Sequence, residues 1–279
     1  MQRLLVLQSL WAMQLDATNG VEKTLEENVE LIVEAGFDGI SMSFEDEARA
    51  RRAAALLAGT GLVFEAQLYP QTIHALQPGL DLCAAIGVHH VAVQADMRPR
   101  RLPEAVSILE QWRRMAEETG LPVFIETHRN QLTNDLHFTL DLIDSCPDLR
   151  LLGDLSHYVV AREWPHADSE EHELLMRRVL DNCWAFHGRV ASSEQIQIPM
   201  GFAHSRPWLE RFMRWWAYGF QSWRKRSSPG DTLSFTCELG PRPYAILGPH
   251  GTELSDRWAE AMFLKKTVRE LWEKPALTV

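Results

Sequence analysis

Short apolar runs alternate with longer amphipathic stretches from one end of the chain to the other. Apolar runs bounded by turn residues read as buried parallel strands, and the pattern predicts eight of them, over 4–8, 37–42, 62–68, 90–94, 123–127, 149–154, 183–189 and 233–239. Between them, helical periodicity predicts crossovers over 22–35, 45–58, 73–86, 104–118, 135–145, 170–182 and 207–223, with a last helix over 255–272. In the first of these, Leu25, Val29, Ile32 and Val33 share one face, and Gly36 stands where a C-terminal cap belongs. Eight strand-then-helix units in strict alternation close most naturally into a barrel. The expected fold is therefore α/β, a (β/α)8 TIM barrel forming one domain over 1–279.

Four of the apolar runs end on a residue able to bind a divalent cation. Glu126 follows Val123-Phe124-Ile125, Asp154 follows Leu151-Leu152-Gly153, His187 follows Trp184-Ala185-Phe186, and Glu238 follows Phe235-Thr236-Cys237. Such a barrel keeps its active site at the carboxyl ends of its strands. An oxygen-rich set with one imidazole suits Mn, Mg, Co or Zn better than a thiolate-seeking ion, so one divalent metal held by Glu126, Asp154, His187 and Glu238 is expected. Each ligand strand but the last carries a second polar group just past its end: His128, His157 and Arg189. These are expected to contact substrate hydroxyls or to orient the ligands. With Glu126 and Glu238 on separate strands, two carboxylates flank a bound ketose and act as an acid/base pair, one removing a proton α to the carbonyl and the other returning one.

Other polar and aromatic positions are less decisive. His89 and His90 open the fourth strand and read as structural, whereas Glu65, inside the third, fits either the barrel interior or a salt bridge. Trp11 and Trp164 fall in loops of the expected catalytic face and would wall a sugar pocket. The stripe Trp208, Phe212, Trp215, Trp216, Phe220 and Trp223 recurs at helical spacing and reads as core, with a homo-oligomer interface as the alternative. Two long connections, 190–205 and 240–254, follow the seventh and eighth strands, and the second carries Arg242 as a candidate for a carboxylate or phosphate.

Composition narrows the partners. A net charge of -10, from 38 acidic and 28 basic residues, opposes nucleic-acid binding, and the basic clusters are short and scattered. No stretch reaches the ~18 to 20 apolar residues of a membrane span, and Met1 leads straight into Arg3-Leu4-Leu5-Val6-Leu7 without a signal-type h-region. The four cysteines show no C-x-x-C pairing, as expected of buried, reduced thiols in a cytoplasmic protein.

The segments Glu126-Thr127-His128-Arg129, Asp154-Leu155-Ser156-His157, His187-Gly188-Arg189-Val190 and Glu238-Leu239-Gly240-Pro241 together resemble the xylose isomerase-like TIM-barrel superfamily, and within it the sugar phosphate isomerase/epimerase group. The resemblance spans the whole barrel. It implies that Glu126, Asp154, His187 and Glu238 ligate one metal, that the two glutamates double as the acid/base pair, and that His157 belongs to an Asp-x-x-His motif. Ketose 3-epimerases, hydroxypyruvate isomerase, inosose dehydratase and, more distantly, the AP endonuclease IV group share this pattern. One departure concerns the substrate arginine that the epimerases place six residues beyond the histidine ligand, where this chain has Ser193 and the nearer Arg189. The implied activity is a metal-dependent isomerase or epimerase of a sugar or sugar-like small molecule. Alternatives are a dehydratase of an inosose or sugar acid, a phosphodiesterase of the endonuclease type, and a non-catalytic metal or sugar binder.

Overall fold

The computed structural model describes residues 1–15, 22–165, 167 and 169–274. Eight parallel strands close on themselves in chain order, with β1 pairing β8 from Arg3↔Thr232 to Gln8↔Cys237. The strands are β1 (Arg3–Ser9), β2 (Gly39–Ser43), β3 (Val63–Leu68), β4 (His90–Val93), β5 (Val123–Glu126), β6 (Leu151–Gly153), β7 (Cys183–Gly188) and β8 (Thr232–Cys237). The predicted barrel is the observed one. The helices are α1 (Leu25–Glu34), α2 (Glu47–Leu57), α3 (Leu76–Ile86), α4 (Leu102–Thr119), α5 (Leu136–Ser145), α6 (Ser156–Ala161), α7 (Glu170–Leu180), α8 (Arg206–Arg226) and α9 (Arg257–Glu273).

Local chemistry sets the helix ends. Thr24 and Glu27 form a reciprocal capping box at the start of α1, and Gly36 takes the left-handed conformation, φ 69°, that ends its last turn. Along α1, Val29 and Ile32 are buried, but Val33 is 43% exposed; the sequence places it at the edge of the apolar face, and the helix turns it to solvent. Among the described α-helices, α6, six residues long and soon after β6, is the one that periodicity did not predict.

Two apolar layers result from strand alternation. Outward-facing side chains such as Val6, Phe64, Val91 and Phe235 pack under the helices in a continuous core that includes the aromatic stripe of α8. Trp208, Phe212, Trp215, Trp216, Phe220 and Trp223 are all buried within this chain. A separate small cluster, Ala92, Phe124, Leu152 and Ala185, comes from β4 to β7 and fills one side of the barrel interior. Its members matter for placement, because a residue two positions further along a strand points the same way. Glu126, Asp154 and His187 stand two residues beyond Phe124, Leu152 and Ala185. Among the described residues, no helix is long and apolar enough to cross a membrane.

Candidate active site

The strand ends bring Glu126, His187 and Glu238 together, with one ligand atom of each lying within 4.8 Å of the others. All three are buried. His187 Nδ1 is 3.6 Å from Glu126 Oε1 and 3.2 Å from Glu238 Oε2, yet among the described residues it makes no hydrogen bond, and neither oxygen of Glu126 has a hydrogen-bond partner. Glu238 is held from two sides, accepting from Gln67 Nε2 at 2.9 Å and from Arg189 Nη2 at 2.5 Å. Gln67 is itself braced by Ser41 at 3.1 Å and by the Tyr69 hydroxyl at 2.8 Å.

Asp154 is placed differently from the other three. Its Oδ2 accepts from Arg189 Nη2 at 2.9 Å and its Oδ1 from the Ser156 backbone N–H at 3.0 Å and from the Ser156 hydroxyl. A guanidinium therefore spans the gap between Asp154 and Glu238. Arg189 is 2% exposed, lies 4.7 Å over the Tyr244 ring and 5.6 Å over Trp11, and leaves Nε and Nη1 without partners. His157 is fully buried, 3.4 Å from Asp154 Oδ2 with neither ring nitrogen hydrogen-bonded, and it stacks on His128 at 3.7 Å between ring centroids. His128 Nδ1 meets the Arg129 carbonyl at 2.6 Å. Glu126, His128 and His157 form a second close group sharing Glu126.

Burial and neighbours push these groups in different directions. Burial raises the Glu126 carboxyl above its ordinary range, against the pull of His187. The same burial acts on Glu238 and Asp154, but Glu238 is held down by His187 and Arg189, and Asp154 is held well below its usual value by Arg189 and His157. Burial opposes charge on His187 too, yet the three surrounding carboxylates, Glu238, Glu65 and Glu126, raise it well above an ordinary imidazole. His128 and His157 are lowered by burial and favour the neutral form.

Above this ring opens a cleft of about 450 Å³. Glu238, His128 and Arg189 reach its wall, together with Trp11, Tyr69 and Tyr244; Glu126, Asp154, His157 and His187 lie beneath it. Trp11 meets Tyr244 edge-on at 5.1 Å and packs so closely over Gly240 that a β-carbon there would enter its ring. Trp164, expected beside the cleft, is instead buried against Trp215 at 5.7 Å and His172 at 4.8 Å. Its bulk serves the outer core. Arg242 is exposed and does not line the cleft.

Sequence reasoning missed Gln67, Tyr69 and Tyr244, and it left Glu65 unplaced. In Val63-Phe64-Glu65-Ala66-Gln67-Leu68 the polar residues recur at every second position, which is the signal of a strand with a polar inner face. Glu65 accordingly points inward, 3.0 Å from His187 Nε2 and 2.6 Å from His90 Nε2.

A divalent ion fits part of this arrangement well. Two carboxylates and an imidazole nitrogen converge, and the Glu126 oxygens and His187 Nδ1 are buried without hydrogen bonds, which is rare in folded proteins unless a ligand or ion completes them. Asp154, engaged by Arg189, lies outside both close groups.

No family model and no curated protein matches the chain. Solved structures do. The chain is similar to a xylose isomerase-like TIM barrel protein from Mycobacterium smegmatis in complex with magnesium, at 13% identity and TM-score 0.61 over 96% of this chain and 97% of that one. A sugar phosphate isomerase/epimerase from Parabacteroides distasonis matches at 11% identity and TM-score 0.59, over 99% and 97% of the two chains. An AP endonuclease, family 2, from Brucella melitensis matches at 15% identity and TM-score 0.55, over 87% and 94%. The chain thus has the barrel fold of the xylose isomerase-like and sugar phosphate isomerase/epimerase structures.

Proposed function

We propose that this protein is a divalent-metal-dependent isomerase or epimerase of a sugar or sugar-like substrate. The observation that carries the reading is the fully buried Glu126 carboxylate, without a hydrogen bond among the described residues and set across His187 from Glu238, beneath the cleft. Glu126, His187 and Glu238 would hold the ion; Asp154, bonded to Arg189, would complete the set only with that contact broken. When bound, the ion supplies the positive charge that stabilises an oxyanion developing beside an acidic carbon, worth several kcal/mol where water is excluded. The residues of the chain do the rest.

Glu126 and Glu238 approach from β5 and β8, on separate parts of the wall, so that one carboxylate takes a proton α to the carbonyl and the other, carrying a proton of its own, delivers that one to the opposite face. Proton exchange on both faces of a carbon requires two such groups. Arg189 and His128, on the cleft wall, meet the oxygens of the substrate, and Trp11 and Tyr244 supply apolar faces for its C–H edges. His157, stacked beneath His128, orients it. Replacement of Arg189 or His157 by Ala is expected to weaken substrate binding or turnover while leaving metal content nearly intact; loss of the metal in both variants would move them into the ligand set.

Solvent-deuterium incorporation across a panel of ketoses, sugar acids and inososes, with Mn²⁺ added, tests the activity. Deuterium at the carbon next to the carbonyl, with product otherwise unchanged in mass, is the expected result. Loss of a water from the product would instead identify a dehydratase, and no exchange with any of the panel would count against proton abstraction.

A further inference from the structure

The barrel interior below the cleft contains a polar column for which the proposed chemistry has no use. Glu65, fully buried on β3, accepts from Thr236 Oγ1 at 3.2 Å through the same oxygen that meets His187 Nε2 at 3.0 Å. Its other oxygen lies 2.6 Å from His90 Nε2, which is also 3.0 Å from Ser234 Oγ. His90 Nδ1 is 2.8 Å from His89 Nδ1, and His89 Nε2 is 3.1 Å from the Thr232 hydroxyl. The usual filling of such an interior is branched aliphatic side chains. A buried carboxylate loses several kcal/mol of hydration and persists when bonded on every side.

One proton arrangement accounts for the line of contacts from Thr232 through His89 and His90 to Glu65 and on to His187. An ionised carboxylate accepts and never donates, so the protons facing Glu65 sit on His187 Nε2 and on His90 Nε2. His90 Nδ1 is then an acceptor and takes the proton of His89 Nδ1, and His89 Nε2 accepts from Thr232. Donors thus run in one direction from Thr232 to Glu65, and His187 meets Glu65 from the opposite side. With its Nε2–H fixed there, His187 has Nδ1 left for the cleft side, facing Glu126 and Glu238.

The geometry points to Glu65 and His90 as positioning residues: Glu65 fixes the tautomer and ring angle of His187 so that Nδ1 faces the metal centre, and His90 holds Glu65 in place. Neither touches substrate. This inference rests on the metal reading above, and carboxylates that orient a ligating imidazole typically govern its metal affinity about 10–100-fold.

The test titrates the metal-free full chain with Mn²⁺ alone by calorimetry and records ¹⁵N spectra of the histidine rings with Zn²⁺ bound. In the wild type, His187 should show a slowly exchanging Nε2–H and a metal-coordinated Nδ1. Glu65→Leu and His90→Leu should weaken Mn²⁺ binding, the first by about 10–100-fold, and lose the protected Nε2–H signal. His90→Gln, which keeps a donor toward Glu65, should recover most of the affinity. If Glu65→Leu does not fold, Glu65→Gln takes its place: its amide oxygen still accepts but lacks charge, so weaker binding with a shifted Nε2–H signal supports the role. A wild type that binds neither ion overturns the metal reading and this role with it. A wild type that binds, with folded Glu65 and His90 variants equal to it in affinity and in the Nε2–H signal, overturns the positioning role and leaves the metal reading standing.

Discussion

His187 divides the barrel interior into two regions that share burial and strand support but differ in what their polar atoms touch. On the inner side, Glu65, His90, Ser234 and Thr236 bond one another. On the cleft side, both oxygens of Glu126, both ring nitrogens of His157, Nδ1 of His187 and two guanidinium nitrogens of Arg189 have no hydrogen-bond partner among the described residues. Glu65 and Glu126 make the contrast sharpest, because both are glutamates with no exposure and both face the same imidazole. Burial pushes both carboxyls up, but His187 and His90 overcome it at Glu65 and hold it far below the ordinary range, whereas Glu126 stays raised. Burial alone therefore does not mark a functional residue. Buried polar atoms without hydrogen bonds that also converge on one another set the cleft side apart, whereas Trp216 Nε1 and Trp223 Nε1, equally unbonded, stand in the outer core.

The largest expected effect of breaking this contrast is on turnover. Glu126→Gln and Glu238→Gln each keep size and a ligand oxygen but remove the base, so each should lower kcat about 10²–10⁴-fold on a confirmed substrate. Both variants binding metal and turning over near the wild-type rate would end the two-base account.

Stability of the metal-free protein should separate the two glutamates by sign. The folded value of Glu65 is depressed, so its ionised form stabilises the fold above the unfolded value of about 4.3 and that contribution is lost as the pH falls toward the folded value. The folded value of Glu126 is raised, so its charge opposes folding above the same unfolded value, and the penalty is relieved as the pH falls through it. At pH 7, Glu65→Leu should lower the unfolding free energy by about 1–3 kcal/mol by stranding His90 and His187. Glu126→Gln should raise it, with the gain fading near pH 4. Urea midpoints at the two pH values measure both, and changes of the same sign would erase the distinction.

A smaller effect is expected on the cleft wall. Gly240 lies against the Trp11 ring, so Gly240→Ala should displace Trp11 and raise KM several-fold with little change in kcat. An unchanged KM would remove Trp11 from substrate binding.

Much of this contrast is legible in the chain before folding, for identifiable reasons. Parallel strands buried on both faces read as short apolar runs, so a Glu, Asp or His that ends one stands out, as Glu126, Asp154, His187 and Glu238 do; the structure brings Glu126, His187 and Glu238 together and leaves Asp154 outside that group. The partner of each was not legible, because spacing along the chain does not say which carboxylate a guanidinium reaches across the barrel. Arg189 lies two residues past His187, yet it bridges Asp154 and Glu238 from the neighbouring strands. Glu65 and His90 were visible only as polar residues inside strands, since their pairing depends on the β3–β4 register that sets Glu65 opposite His90. Trp164 misled because a tryptophan in a catalytic-face loop suits a pocket wall as well as it suits the core that receives it.

The most direct measurement of the central claim is anomalous diffraction from crystals of the protein soaked in Mn²⁺. The account predicts one strong peak about 2.0–2.4 Å from Glu126, His187 Nδ1 and Glu238, with the Glu126 oxygens no longer unpartnered. Peaks confined to the protein surface, with Arg189 still bridging Asp154 and Glu238 and Glu126 still bare, would contradict it.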